Sequence, residues 1–124
     1  MKLKEGDLLQ YSRLFTREDI LAFAGLSHDT GRHHTAAEKL MAHGLMVASL
    51  PTKLGGDISF IARDMEFHFL KPVYEHDEIT CVGKLEKMTP QSKRTKLFFT
   101  FECRNQNGIL VMHGSSNGHI WNEI

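Results

Sequence analysis

Cysteine is scarce in this chain and an excess of charge of either sign is missing. Only two of the 124 residues are cysteines, Cys81 and Cys103. They form no CxxC and no Cys/His metal spacing, so they read as small buried hydrophobes rather than thiol nucleophiles. Lysine plus arginine number 15, aspartate plus glutamate 15, and the formal net charge is zero. Nucleic-acid binders carry a basic excess or stripe, so no nucleic-acid partner is expected. A zero total still permits a small basic patch around an anionic ligand. No apolar run approaches the ~20 residues of a membrane span, and MKLKEGDLLQ has no apolar stretch after its lysines, so no signal peptide is read there. The expected location on these grounds is the cytoplasm. What is present is ordinary for a soluble globular chain, with 41% hydrophobic and 24% charged residues. The length suits one domain with one core and no staples.

The first half reads helical and the second half as strands, which predicts an α+β fold rather than alternating α/β. Asp7–Phe15 is a short extended lead-in. Thr16-Arg17-Glu18-Asp19 has the form of a capping box, and Ile20, Phe23 and Ala24 follow at the spacing of one helix face. Gly25 and Ser27 close that helix. Residues 27–34 form a polar loop, and Thr35-Ala36-Ala37-Glu38 has the form of a second capping box. Gly44–Leu54 is apolar or small nearly all round, the mark of a buried helix. Pro51 is expected to kink or end it, with Gly55-Gly56-Asp57 as a stop. Four strands follow. Met65, Phe67 and Phe69 alternate with Asp64, Glu66 and His68. Ile79, Cys81, Gly83 and Leu85 alternate with polar residues, as do Leu97, Phe99, Phe101 and Cys103. Asn105–Gly108 reads as a hairpin turn, and 109–121 as a last strand whose facing its small residues leave open. Phe98 lies on a wet face and suggests a subunit contact. A sheet with one apolar face and a helix without a polar face bury each other if the sheet curls around the helix. Its open edges favour pairing with another copy.

The densest polar cluster is Ser27-His28-Asp29-Thr30-Gly31-Arg32-His33-His34, in a loop ahead of a helix start, where sites concentrate. Asp29 and His34 stand across a turn. Such a carboxylate and imidazole can share one water and move its proton between them. Aspartate before a helix also serves simply as a cap or Asx-turn, and both readings stay open. His43-Gly44 opens the buried helix, whose free N–H groups favour negative charge. Gly44 there has the alternative of close packing, and His43 that of a half-buried polar residue. A zinc reading of His28, His33, His34 and His43 is the rival, but neighbouring histidines rarely point the same way and no HxxxH is present.

Phe15-Thr16…Asp19-Ile20…Phe23-Ala24…Ser27-His28-Asp29…His34 resembles the MaoC-like (R)-specific enoyl-CoA hydratase/dehydratase family, in which F-T-x-x-D-I-x-x-F-A runs into S-G-D-x-N-P-x-H. Ala42-His43-Gly44-Leu45-Met46 resembles its A-H-G-M helix opening. FHFLKPV at 67–73 with Asp77-Glu78-Ile79 resembles its F-x-x-P-V-x-x-G-D-x-I strand pair. The resemblance implies a single hot-dog domain over 1–124, a curled antiparallel sheet wrapped around a central helix. It implies a hydro-lyase that adds water reversibly to a trans-2-enoyl thioester of CoA or a carrier protein, giving the (R)-3-hydroxyacyl thioester, with Asp29 and His34 activating the water. It further implies a thioester oxygen held at Gly44 and His43, no metal or redox cofactor, and a homodimer or higher homo-oligomer. Arg32, Ser59 and Phe60 are candidate substrate contacts, with Arg32 and Lys53 considered for CoA phosphates. Hot-dog thioesterase activity and non-catalytic acyl-thioester binding are the alternatives. His28 and His76 stand where the family has glycine, Gly31-Arg32 replace Asn-Pro, and the 34–43 segment is short, which opens the question of acyl length.

Overall fold

The structure is a computed structural model and describes residues 2–123. Strand β1 (Leu8–Leu14) leads into helices α1 (Arg17–Ser27), α2 (Arg32–Thr35) and α3 (Gly44–Asp57). Strands β2 (Ile61–Phe69), β3 (Glu78–Pro90), β4 (Arg94–Arg104) and β5 (Leu110–Trp121) follow. The strands form one 5-stranded sheet in the order β1-β3-β4-β5-β2, and every pairing is antiparallel. The sheet curls around α3, giving the expected α+β hot-dog architecture. Ile79, Cys81 and Leu85 of β3 and Leu97, Phe99, Phe101 and Cys103 of β4 are all buried, as their period of two requires. Met46, Val47, Leu50 and Leu54 of α3 pack with Ile79, Cys81, Phe101 and Cys103, while Leu85, Leu97 and Phe99 form a second cluster with Leu3.

The N-cap half of the first capping box forms: Thr16 is the N-cap of α1 and its Oγ1 accepts the Asp19 N–H at 3.1 Å. The second box does not. The Thr35 hydroxyl instead donates to the carbonyls of Gly31 and Thr30 at 3.1 and 3.2 Å. It therefore closes the single turn of α2 rather than opening a helix. Two further expectations are corrected in α3. The helix runs through Pro51 and through Gly55-Gly56-Asp57 to a C-cap at Ile58. Proline inside a helix costs about 3 kcal/mol. Burying Leu50 and Leu54 on either side of it returns roughly 1.5–3 kcal/mol each, which is enough to carry the helix past. The stop comes at Ser59, left-handed at φ 57°. Phe60 N–H bonds back to the Gly55 carbonyl at 2.9 Å and Ser59 N–H to that of Gly56 at 3.1 Å, a Schellman end.

Asp7–Phe15 contains a full strand, with β1 paired to β3 from Leu8↔Lys84 to Leu14↔Glu78. The buried face expected of Met65, Phe67 and Phe69 is only partly covered, since Met65 and Phe69 are 48% and 51% exposed. β2 is an outer strand of the sheet and lacks a neighbour on one side. The small residues that blurred β5 have a steric reason. A side chain on Gly114 would run into the Glu66 carbonyl and the Phe101 ring, and one on Gly118 into the Ile61 carbonyl.

Candidate active site

α1 ends at His28, which takes the left-handed conformation (φ 63°) as its C-cap. That reversal drops Asp29 into a tight turn ahead of α2. Asp29 Oδ1 accepts the Gly31 N–H at 3.3 Å, an Asx-turn. Its Oδ2 is left free to face His34 Nε2 at 3.9 Å. The sequence therefore left open two roles that a single carboxylate can combine, one oxygen in the turn and the other toward the imidazole. A separation of 3.9 Å exceeds a direct hydrogen bond, yet one water about 2.8 Å from each group spans it.

His34 sits in the turn of α2 with its side chain 7% exposed, while that of Asp29 is 60% exposed. Its Nδ1 lies 2.7 Å from the Met41 carbonyl. A carbonyl only accepts, so Nδ1 carries the proton and Nε2 of the neutral ring keeps its lone pair toward Asp29. Met41 is itself fixed. Its N–H bonds to the His33 carbonyl at 2.8 Å, the next N–H, of Ala42, bonds to the Val73 carbonyl at 2.7 Å, and Met41 bridges to Tyr74. The stretch before α3 thus holds the ring in register.

His43 is the N-cap of α3 and only 3% exposed. Its Nε2 donates to the Asp29 carbonyl at 2.9 Å. Its ring stacks on that of His34, with centroids 3.7 Å apart and planes 14° apart. It ties the Asp29 turn to α3 and backs the His34 ring. Of the two residues expected at the thioester oxygen, His43 has its ring committed to the Asp29 carbonyl and to His34. Gly44 is the first residue of α3, where backbone N–H groups have no acceptor within the helix. A side chain there would press on the Phe69 ring at 3.1 Å. Gly44, Met41 and Phe69 share the wall of one cavity of about 290 Å³.

Other candidates fall elsewhere. Arg32 opens α2 and is exposed beside the pair. Lys53 is paired with Asp57 at 2.8 Å and lies over the Tyr11 ring at 4.7 Å. Ser59 and Phe60 follow the far end of α3, about 20 Å along its axis from Gly44 at 1.5 Å per residue. Phe60 lines an apolar cavity of about 200 Å³ with Pro51, Leu54, Met65 and Phe101. Periodicity could not have placed these two, because Pro51 and the glycines suggested a shorter helix.

Asp29, His34 and His43 bring one ligand atom each within 4.8 Å, the donor set of a metal site. The two imidazoles are stacked nearly parallel, so their in-plane lone pairs run alongside each other rather than converge at the ~2 Å that zinc requires. His28 and His33 are exposed and outside the trio. The thiols are core groups. Cys81 and Cys103 face each other across β3 and β4, and the Cys103 thiol together with burial pushes Cys81 far up out of the reactive range.

The fold and this site define a hot-dog enzyme domain. The chain belongs to the thioesterase superfamily, whose family model matches residues 30–112, and is of the MaoC-like hydratase/dehydratase type. It is 29% identical to the mitochondrial 3-hydroxyacyl-(acyl-carrier-protein) dehydratase of Arabidopsis thaliana, over 97% of this chain and 79% of that protein. The (R)-hydratase from A. caviae involved in PHA biosynthesis superposes with a TM-score of 0.81 at 26% identity, covering 94% of this chain and 96% of that one. A chain of the ChsH1–ChsH2 complex from Mycobacterium tuberculosis shares the fold at TM-score 0.80 and 14% identity, over 96% of this chain and 99% of that one. The protein is therefore an enzyme of the MaoC-like dehydratase type, with hydratase/dehydratase activity, and its fold occurs in multi-chain assemblies. The cytoplasmic expectation is corrected: the curated relatives that the chain matches are mitochondrial enzymes. Lack of a recognisable secretion signal does not choose between cytoplasm and organelle. No helix among the described residues is long and apolar enough to cross a membrane.

Proposed function

We propose that the chain reversibly hydrates a trans-2-enoyl thioester to the (R)-3-hydroxyacyl thioester, with Asp29 and His34 as the acid–base pair. The observation that carries this reading is the 3.9 Å approach of Asp29 Oδ2 to His34 Nε2, with the imidazole held in one tautomer. A water shared by the two gives a proton to Nε2 as its oxygen joins C3. The same proton returns to C2 on the same face, so water adds syn and no atom is left over. Asp29 Oδ2 holds the second water hydrogen and steadies the imidazolium. The Gly44 N–H at the start of α3 takes the thioester oxygen as enolate charge develops. Arg32 is placed to meet an anionic part of the ligand. Water and side chains suffice for this step, with no metal or redox cofactor in it.

The outer strand β2, paired on one side only, carries Ile61, Met65 and Phe69, each 44–51% exposed. Antiparallel pairing of β2 with its copy would cover them and close that edge. It would also bring Ser59 and Phe60 of one protomer toward the α3 N-terminus of the other, where they can line the acyl path. The proposed assembly is therefore a homodimer.

The test follows enoyl absorbance with crotonyl-CoA. Wild type should consume it without releasing free thiol, and Asp29→Ala and His34→Ala should each cut the rate about 10²–10⁴-fold with circular dichroism unchanged. Thiol release at the rate of substrate loss would instead establish thioesterase chemistry, a reading favoured by the superfamily match. Full turnover in both variants would end the assignment of roles.

A further inference from the structure

On the outer face of the sheet, away from α3, lies a groove of about 400 Å³ walled by Arg63, Lys87, Arg94, Lys96, Phe98 and His119, with Asp64 as its only carboxylate. The register builds it. Thr89, Lys96, His119 and Ile61 form one cross-strand row, and Lys87, Phe98, Asn117 and Asp64 the next. Side chains in adjacent rows on one face stand within reach of a single small ligand. Four cations from three strands against one acid is a steep local excess in a chain whose net charge is zero. None of the four forms an ion pair among the described residues. His119 is 8% exposed, and its Nε2 is buried with no hydrogen-bond partner among the described residues. An unmet buried ring nitrogen in the wall of a cationic groove is a group waiting for a ligand atom.

We propose that this groove binds a phosphorylated nucleotide, supplied by the coenzyme-A end of the thioester, an assignment of source that rests on the hydratase reading above. The cations meet phosphate oxygens, and the half-buried Phe98 ring offers a base a stacking surface. A concave site with one ring suits a small ligand better than the surface of an acidic carrier protein. The groove lies at the Arg63 end of β2. Antiparallel pairing of β2 with its copy sets that end beside the Phe69 end of the partner strand, where Phe69 packs on Gly44 at the mouth of the acid–base site. The nucleotide would thus lie on the outer face of one protomer, and the arm that joins it to the acyl group would pass the ends of the paired strands to reach the α3 face of the other.

The single tryptophan gives a readout that needs no turnover. Trp121 stands opposite Arg94 and edge-on to the His119 ring at 4.9 Å. Titration of the full chain with adenosine 3′,5′-bisphosphate should change Trp121 emission saturably. Arg94→Glu and Lys87→Glu, on different strands, should each weaken that binding about tenfold or more with circular dichroism unchanged. Both should raise KM for crotonyl-CoA about tenfold more than KM for the crotonyl thioester of N-acetylcysteamine, which has no nucleotide. Binding that the variants abolish without that difference in KM keeps the site and assigns it to a free nucleotide. No saturable emission change, equal affinity in both variants, or an effect confined to a carrier-protein substrate would overturn the proposal. Lack of hydration by wild type would remove the catalytic reading alone and leave the emission titration to decide the groove.

Discussion

A left-handed backbone costs an L-residue with a side chain about 1–2 kcal/mol relative to its preferred conformations, and this chain accepts it at His28, φ 63°, and His76, φ 74°. These are the two positions where histidine stands in place of the glycine of the resembling motifs. The substitutions therefore change the residue and keep the turn. At His28 the turn delivers Asp29. At His76 it closes the corner in which the Tyr74 N–H bonds to Asp77 Oδ2 at 2.8 Å. Replacing either histidine by glycine should stabilise the fold by about 0.5–1 kcal/mol, after allowing for the looser unfolded chain. Urea melts should show a higher midpoint at unchanged slope. A lower midpoint at both positions would mean that the imidazoles contribute more than their backbone costs.

At the scale of the element, α1 shows how much a local pattern can carry. Thr16 and Asp19 were legible as a capping pair because every group involved lies within one turn. The Arg13 guanidinium, 2.9 Å from Asp19, and the Thr16 hydroxyl hold the Asp19 carboxyl below the usual carboxylate range. The folded chain thus takes up this proton less readily than the unfolded one. The stability it brings is present above the unfolded value of about 3.9 and is lost as pH falls through the lower folded value. Asp19→Asn should accordingly flatten part of the drop in denaturant midpoint below about pH 4 and leave its pH dependence near neutrality as it is. The opposite lesson comes from α3 and β2. Pro51, Gly55 and Gly56 read as breakers because local propensity counts the lost hydrogen bond but not the burial of Leu50 and Leu54. Met65 and Phe69 read as core because their period is right, while their cover depends on which strand lies at the edge of the sheet. The groove at His119 was not legible at all, for it is assembled from rows across four strands in a chain of balanced charge.

At the scale of the whole molecule, the hot-dog architecture could be read from sequence because an apolar sheet face and an apolar helix leave few other ways to bury each other. The approach of Asp29 to His34, on which the proposed acid–base role rests, was legible for a simpler reason, since one short turn contains both residues. What the sequence could not supply was distance along α3, which places Ser59 and Phe60 at the opposite end from Asp29. Pairing through β2 resolves that separation in the proposed dimer. Met65→Asp and Phe69→Asp should each shift the protein toward monomer in sedimentation, with a loss of activity that tracks the loss of dimer. A monomeric wild type at full activity would refute that arrangement.

The two oxygens of Asp29 have a further consequence. Oδ1 is engaged by the Gly31 N–H and Oδ2 by the space in front of His34, so the carboxylate cannot spin between duties without undoing its own turn. The group is chemically symmetric and structurally handed. Every catalytic cycle would then employ the same one of its oxygens, and the partner oxygen would act as an anchor that sets where the next water is caught.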